Sequence, residues 1–330
     1  MTFPSTYKCL TENCFQNNNY QIVPIRYKDR YDIMKWRNEQ IYHLRQNKPL
    51  TKKSQDEYFK NVVSKLFDQD KPNQILFSFL KDDICIGYGG LVHINWVDKN
   101  AEISFVMNTQ LENEYFEFNW VTFLNLLEKV AFNDLMLHKI FTFAFDLRPK
   151  LYNALEKEKF VKEATLKEHC FFNNKFIDVI IHQKTNSLFL RKANKKDAEL
   201  LFKWANDKAV RKNAINTEKI NWENHLKWFK SKLQSNNAHL YILEKNKTPI
   251  GQIRIDKLNN YWIIDYSIDK NYRGLGYGKL IVKLLINLNK DKSFIAQVKK
   301  ENIASISIFE KIGFLKKENN SNELIEYIYE

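Results

Sequence analysis

A glycine-rich stretch in the last quarter of the chain has the composition of a phosphate-binding loop: Tyr272-Arg273-Gly274-Leu275-Gly276-Tyr277-Gly278. The residues before it, Tyr261 to Ile268, are aromatic and β-branched and predict a strand, and those after it, Lys279 to Ile286, are apolar at helical spacing. Glycine permits positive φ angles and close approach of a ligand to backbone N–H groups, while a helix N-terminus adds partial positive charge. The order of strand, loop and helix therefore predicts a phosphate site.

The spacing of the loop excludes the Walker pattern G-x-x-x-x-G-K-[ST] and the dinucleotide pattern G-x-G-x-x-G. The pattern present is R-x-x-G-x-G, and it resembles the coenzyme A pyrophosphate loop of the GNAT N-acetyltransferases. The resemblance covers about Leu188 to Tyr329 and implies acetyl-CoA as the cofactor. It also implies a set of coenzyme contacts: Ile268, Arg273, Gly274, Leu275, Gly276, Tyr277 and Gly278.

A second stretch, Asn302 to Phe314, is similar to the family motif N-x-A-S-x-x-x-[YF]-E-K-x-G-F. By that resemblance Asn302 lies beside the coenzyme, and Ser305 and Phe309 face it from a helix. For Phe309, a place in the hydrophobic core is an equally good interpretation.

Catalysis in this family needs a base for the amine and often a proton donor for the departing thiolate. The family often places a Glu on the central strand and a Tyr on the later helix, and this chain has Ile263 and Phe309 at those positions. We therefore expect Asp265 and its neighbour Tyr266 to be the catalytic pair. Asp265 could act directly, act through water, or only bind the substrate.

The predicted substrate contacts are polar and aromatic side chains on the first helices and strand edges of the same half: Trp204, Asn206, Arg211, His225 and Arg254. Their sequence context resembles the GNAT branch that acylates nucleotide-linked amino sugars, including enzymes of pseudaminic and related nonulosonic acid pathways. Arginine is suited to bidentate phosphate contacts. The expected partner is thus a small amine, most specifically a nucleotide-linked amino sugar.

Charge is distributed unevenly along the 330 residues. The formal net charge is +13, of which residues 186–330 carry +11 and residues 1–185 carry +2. A lysine-rich solvated surface explains this excess, and so does a field that attracts polyanionic ligands. No signature of a nucleic-acid-binding motif accompanies the charge.

Other features of the sequence limit the classes of protein to which the chain can belong. No apolar run reaches membrane-spanning length, no export signal is visible, and the four cysteines lack metal-ligand spacing. We expect a cytoplasmic protein with no metal and no membrane partner, and the oligomeric state stays open.

The order of predicted elements occurs twice. Three anchors match in order: Trp36-Arg37-Asn38 with Trp204-Ala205-Asn206, Ile86-Gly87 with Ile250-Gly251, and the Glu-Lys-x-x-Phe pattern ending at Phe160 with that ending at Phe314. This repeat predicts an α/β (α+β) fold of two tandem GNAT domains, each with a mixed central sheet flanked by helices, at residues 1–185 and 186–330. A short polar linker is expected near Gln183 to Ser187.

The N-terminal copy lacks the glycine loop. Its corresponding stretch, Thr109 to Phe116, has no glycine and two carboxylates; Asp146-Leu147-Arg148 stands near the position of Asn302, and Lys159 replaces Gly313. We interpret residues 1–185 as a degenerate copy and residues 186–330 as the catalytic domain.

Two other functions compete with this interpretation. The first is acetylation of a protein N-terminus, of the ribosomal-protein type. The second is a non-enzymatic coenzyme A sensor or scaffold, favoured by the missing Glu and Tyr.

Overall fold

The computed structural model describes residues 3–317 and 323–330 of the chain. Within it the chain divides into two compact units, Met1–Asn186 and Ser187–Glu330. Each unit has one mixed sheet flanked by helices, which confirms the predicted fold class. The residues after Lys311 predict strand material through Tyr329, and residues 318–322 of that stretch lie outside the described residues.

The N-terminal unit has an eight-stranded sheet in the order β1-β2-β3-β4-β5-β6-β8-β7. Its strands are β1 (Phe15–Asn17), β2 (Tyr20–Pro24), β3 (Ile75–Lys81), β4 (Ile84–Asn95), β5 (Asn100–Met107), β6 (Lys139–Phe145), β7 (Val161–Phe172) and β8 (Lys175–Thr185). Its helices are α1 (Arg30–Glu39), α2 (Lys52–Tyr58), α3 (Ser64–Leu66), α4 (Glu112–Glu128) and α5 (Pro149–Lys157), with π-helical turns at Phe59–Val63 and Lys129–Asp134.

The C-terminal unit has a seven-stranded sheet in the order β14-β15-β13-β12-β11-β10-β9. Its strands are β9 (Leu188–Lys192), β10 (Ala238–Lys245), β11 (Thr248–Leu258), β12 (Tyr261–Ile268), β13 (Ser293–Lys299), β14 (Leu315–Lys317) and β15 (Leu324–Tyr329). Its helices are α6 (Ala198–Ala205), α7 (Lys208–Asn213), α8 (Trp222–Gln234), α9 (Tyr277–Leu288) and α10 (Ile303–Ile312).

Among the described residues, both sheets open into a wedge at a parallel strand pair. Pairing of β5 with β6 covers only Asn100–Glu102 against residues 139–141, and pairing of β12 with β13 covers only residues 261–264 against 293–296. Beyond these positions no pairing joins the two strands of each pair, which leaves a wedge between them.

The structure differs from the prediction at three places. The residues from Phe171 to Ile181 predict a single closing strand at the end of the first half. The structure has the hairpin β7–β8 there, because Asn173 and Asn174 adopt positive φ angles of 46° and 58° and form a two-residue turn. The first residues of the predicted linker belong to β8, which pairs with β6 through Thr185. The short helix α7 was not predicted.

Candidate functional site

The glycine loop, residues Tyr272–Gly278, joins the end of β12 to the start of α9. Gly274 and Gly276 have φ angles of +74° and +83°, and a Cβ atom built on either would meet nothing within 4 Å. These two glycines therefore serve the backbone conformation, which other residues adopt only with strain. Gly276 is the N-cap of α9, and no side chain caps that helix. Among the described residues, the N–H groups of Tyr277 and Gly278 in the first turn of α9 have no acceptor and are left for a ligand or solvent.

The other loop residues have distinct roles. A Cβ on Gly278 would lie 2.8 Å from Ile308 Cδ1, so this glycine allows α9 to pack closely against α10. Tyr277 is buried, and its hydroxyl accepts a hydrogen bond from Lys245 Nζ at 2.6 Å. Leu275, 63% exposed, projects into solvent.

Arg273, a residue of the glycine loop, stabilises the loop through hydrogen bonds of its side chain. Its Nε donates to the Ile268 carbonyl at 3.0 Å, and its Nη2 donates to Asp207 Oδ1 at 2.7 Å. Asp207 also caps α7 by accepting from the amides of Ala209 and Val210, and the Arg273 guanidinium helps hold the pKa of this carboxyl below its usual range. This guanidinium fixes the shape of the loop.

A second hydrogen bond joins the same two regions. Trp204 Nε1 donates to Asp269 Oδ2 at 2.8 Å, and Asp269 caps the turn that precedes the loop. The predicted substrate contact Trp204 is thus buried and structural. Asp207 and Asp269 were not predicted as site residues; their signal is an Asp at the start of a short helical turn.

The two predicted catalytic residues point to opposite faces of β12, because neighbouring side chains alternate along a strand. Asp265, whose side chain is 55% exposed, lies on the α8 face, where Gln252 Nε2 donates to its Oδ1 at 3.1 Å. Tyr266 lies on the α9–α10 face beside Gly278. The wedge between β12 and β13 connects these two faces.

Tyr266 is held by α10. Its hydroxyl lies 2.9 Å from Ser305 Oγ, and its ring packs edge-on against Phe309 at 6.0 Å between centroids. Burial raises the pKa of Tyr266 to about 12, so the phenol stays protonated at neutral pH.

In the second motif, Asn302 to Phe314, residues expected to contact the coenzyme also make contacts within the domain. Phe309 is buried against Phe314 and Tyr327, which favours the core interpretation, and its contact with the coenzyme stays a prediction. Asn302 Oδ1 caps α10 by accepting from the Ser305 amide at 3.2 Å.

Three further predicted substrate contacts also have structural partners. Asn206 exchanges two hydrogen bonds with the backbone of Ile220, and Arg211 Nη1 donates to the carbonyls of Asn216 and Glu218. His225 is 2% exposed, bonds to the Ala198 carbonyl at 2.9 Å, and has its pKa lowered by burial. Each of these side chains bonds within its own domain, and its contact with a substrate stays a prediction.

The remaining predicted contact, Arg254, belongs to a polar strip on the α8 face of the sheet. Arg254 Nε lies 2.7 Å from Asp256 Oδ2, its Nη2 lies 3.8 Å from Asp265 Oδ2, and its guanidinium lies over the Trp228 ring. The polar strip comprises Gln252, Arg254, Asp256, Asp265 and Ser267. It offers carboxylates and amides to a ligand that approaches Asp265.

Over residues 3–317 and 323–330, no group of three or more His, Cys, Asp or Glu side chains is arranged to hold a metal ion. None of the helices in these ranges is long and apolar enough to cross a membrane.

Both halves of the chain match models of one protein family. Residues 187–315 match a model described as an acetyltransferase (GNAT) domain, and residues 22–181 match a second model with the same description. The prediction of two tandem GNAT domains is thereby confirmed. The narrower resemblance to enzymes of pseudaminic-type pathways is not supported by these matches and stays a hypothesis.

Individual relatives are distant. An uncharacterised protein of Methanocaldococcus jannaschii is 28% identical over 155 residues, which cover 44% of this chain and 31% of the relative. The match thus spans about a third of that relative's length.

Solved structures are similar in part. A domain from Methanocaldococcus jannaschii is 26% identical and covers 44% of this chain and 98% of its own, with a TM-score of 0.39. Spermidine N-acetyltransferase from Vibrio cholerae, in complex with CoA and spermine, is 21% identical and covers 51% of this chain and 96% of its own, with a TM-score of 0.45.

The glycine loop, the wedge between two parallel strands and the two matching family models lead to one assignment. The chain belongs to the GNAT acetyltransferase family, with two GNAT domains in tandem.

Proposed function

We propose that the C-terminal domain transfers an acetyl group from acetyl-CoA to the primary amine of a small acceptor, and more narrowly of a nucleotide-linked amino sugar. The observation that carries this proposal is the glycine loop. Gly274 and Gly276 turn the backbone at positive φ, and α9 begins there without a side-chain cap. Backbone amides at such a helix start suit the pyrophosphate of the coenzyme.

Acetyl-CoA supplies an activated thioester, and the residues of the chain orient the reactants and move protons. Asp265, exposed on the polar strip, attracts the ammonium form of the acceptor and takes up its proton. As the amine nitrogen forms the new C–N bond and the C–S bond of the thioester breaks, Tyr266, protonated at neutral pH and held by Ser305, would donate its proton to the departing thiolate on the opposite face of β12. Because the wedge joins both faces, the two residues serve opposite sides of one reaction centre.

The nucleotide part of the proposal rests on lysines. Lys208 and Lys212 are exposed on α7, and Lys299 at the end of β13 donates to the Lys212 carbonyl at 3.1 Å. Among the described residues these three ammonium groups have no carboxylate within salt-bridge distance. They are suited to phosphates of an acceptor, whereas Arg211 and Arg254 are engaged elsewhere.

The first test compares acceptors at saturating acetyl-CoA. We expect kcat/KM for a nucleotide-linked amino sugar to exceed that for the same sugar without its nucleotide by about 10-fold or more, the value of one lost charge-assisted contact. A peptide N-terminus and spermidine serve as comparison acceptors. If either of them, or the free sugar, is the better substrate, the acceptor proposal fails while the transferase assignment stands. If no amine is acetylated, the sensor function is favoured.

The second test addresses catalysis with a matched pair of variants. Asp265→Asn should lower kcat/KM by roughly 100-fold or more, the usual loss for a catalytic base. Asp256→Asn, on the same strip and paired with Lys232 and Arg254, is the control and should change kcat/KM by less than about 5-fold, as expected for a group outside the reaction. Equal losses in both variants would show that Asp265 acts only through the charge of the strip.

A further inference from the structure

The wedge of the N-terminal unit encloses a cavity of about 340 Å³ that the proposed function does not use. Strands β5 and β6 form its sides, and α4 and α5 contribute to its lining. This volume is within the range of small-molecule sites and near its lower end. The lining combines aromatic rings with convergent charged groups: Trp120, Phe105, Phe143, Arg37, Arg45 and Arg148.

Two of the three guanidinium groups already have a carboxylate partner. Arg45 pairs with Glu102, which also accepts from His93 Nδ1 at 2.9 Å, and Arg148 Nη2 lies 2.5 Å from Glu112 Oε1. Glu102 is buried and bonded to both partners, so it is poorly placed to receive a cationic amine.

The third guanidinium, that of Arg37, has only neutral partners. Its Nε donates to Gln46 Oε1 at 3.0 Å and its Nη1 donates to the Tyr88 hydroxyl at 2.6 Å. In the described part of the chain, Arg37 has no carboxylate within salt-bridge distance. A half-buried cation without a counter-charge is costly, and a bound anion would relieve that cost.

A second observation is independent of the arginines. Thr142 on β6 is 3% exposed and lines the cavity, yet its hydroxyl has no hydrogen-bond partner within the described residues. Buried polar groups normally have a partner. The oxygen itself is covered by its neighbours, so a ligand atom in the cavity would reach it after a small shift of the lining.

Coenzyme A is a poor candidate for this cavity. Where its pyrophosphate would meet the start of α4, the chain places its own carboxylate, Glu112, and neutralises it with Arg148. Glu114 adds a second negative charge to the same helix turn.

We propose that this cavity binds a small carboxylate with a flat apolar body. The carboxylate pairs with Arg37 and accepts from the Thr142 hydroxyl, and the apolar body packs among Phe105, Trp120 and Phe143. The site is a binding site separate from the proposed catalytic domain, and it stands whether or not the C-terminal domain acetylates an amino sugar.

The test uses three probes of equal size on the full chain: benzoate, neutral benzamide and cationic benzylamine. We expect saturation-transfer NMR and titration to show benzoate binding, with benzamide at least about 10-fold weaker, as for loss of a charge-assisted contact, and with benzylamine weaker still. Benzoate affinity should be unchanged in saturating acetyl-CoA. Equal binding of benzoate and benzamide, tighter binding of benzylamine, displacement by acetyl-CoA, or no binding of any probe would each overturn the proposal.

Substitutions test whether benzoate binds in this cavity. Arg37→Met should weaken benzoate binding by roughly 10-fold or more, whereas Arg30→Met, on the same helix but outside the cavity lining, should leave it unchanged. Thr142→Val keeps the shape of the side chain and should cause a smaller loss, so it decides the outcome if Arg37→Met fails to fold. Wild-type affinity in a folded Arg37→Met, or in Thr142→Val where that variant decides, overturns the assignment.

Discussion

The two domains share a wedge but differ in how the chain leaves the central strand. In the C-terminal domain α9 begins nine residues after the last residue of β12, whereas in the N-terminal domain α4 begins five residues after that of β5. The extra four residues match Arg273–Gly276 and include both positive-φ glycines. A short insertion is therefore the difference between the loop after β12, which suits an external phosphate, and the loop after β5, which does not.

The residues beside the wedge also differ between the two domains. If Gly87 is aligned with Gly251 and Met107 with Ile268, as the strand registers allow, Ser104 and Phe105 correspond to Asp265 and Tyr266. Phe105 stacks on Phe123 at 4.1 Å instead of presenting a hydroxyl. The N-terminal wedge thus lacks the proposed proton-transfer groups and retains a cavity suited to binding.

The largest expected effect is on acetyl-CoA binding and comes from a substitution that disrupts the glycine loop. Gly276→Glu should weaken acetyl-CoA binding by about 100-fold or more, because it adds a residue strained by roughly 1–2 kcal/mol at positive φ and a charge that repels the pyrophosphate. Calorimetry on the full chain should give one coenzyme per wild-type chain and none for the variant at the same concentrations.

Two controls sharpen this result. Gly276→Lys has the same backbone strain and should retain more affinity than Gly276→Glu if charge matters. Glu114→Lys in the N-terminal domain should leave the affinity unchanged. Two coenzymes per wild-type chain would contradict the difference between the domains.

A smaller effect concerns the carbonyl at the end of each central strand. Arg273 holds the Ile268 carbonyl, whereas in the N-terminal domain Gln40 Nε2 donates to the Met107 carbonyl at 2.7 Å. Arg273→Gln should raise the Kd for acetyl-CoA by roughly 10-fold, because the loop loses two charge-assisted hydrogen bonds that shape it.

The matched change in the other domain should act on stability instead. Gln40→Met leaves a buried carbonyl unpaired and should lower the free energy of unfolding by about 1–3 kcal/mol with no change in coenzyme affinity. Titration and chemical denaturation of both variants test the contrast. Similar affinity losses in the two variants would contradict separate roles.

The smallest expected effect is on pH dependence. Burial and the neighbouring Arg148, which donates to His43 Nε2 at 2.7 Å, lower the pKa of His43 to about 3. Between the unfolded pKa near 6.5 and the folded value, the unfolded chain binds a proton that the folded chain does not. Stability should therefore fall as the pH drops through this window, by up to about 1 kcal/mol per pH unit from this residue.

His43→Gln keeps an acceptor for Arg148 and removes the titration. Because burial lowers the pKa of His182 and His225 as well, the comparison is the difference in slope between wild type and variant, measured by chemical denaturation from pH 7 to pH 5. Parallel slopes would show that His43 titrates normally in the folded chain.

Much of the fold could be read from local patterns. Aromatic and β-branched residues indicated β12, helical spacing indicated α9, and Arg273 with two glycines at R-x-x-G-x-G spacing indicated the loop. These signals are local, since period and backbone conformation depend on neighbouring residues. The hairpin β7–β8 was missed because its turn is Asn173-Asn174, a weaker signal than a turn with glycine.

The sequence by itself determined the repeat, the glycine loop and the loss of that loop in the N-terminal copy. Only the tertiary structure decided which polar residues are free for a ligand. Trp204, Asn206, Arg211 and His225 have the composition of a substrate site, but each bonds to its own domain. The type of a residue limits the groups to which its side chain can bond. Its actual bonding partner depends on contacts between residues far apart in the chain. For the same reason the cavity with Arg37 and Thr142, 105 residues apart in the chain, was visible only once the sheet was assembled.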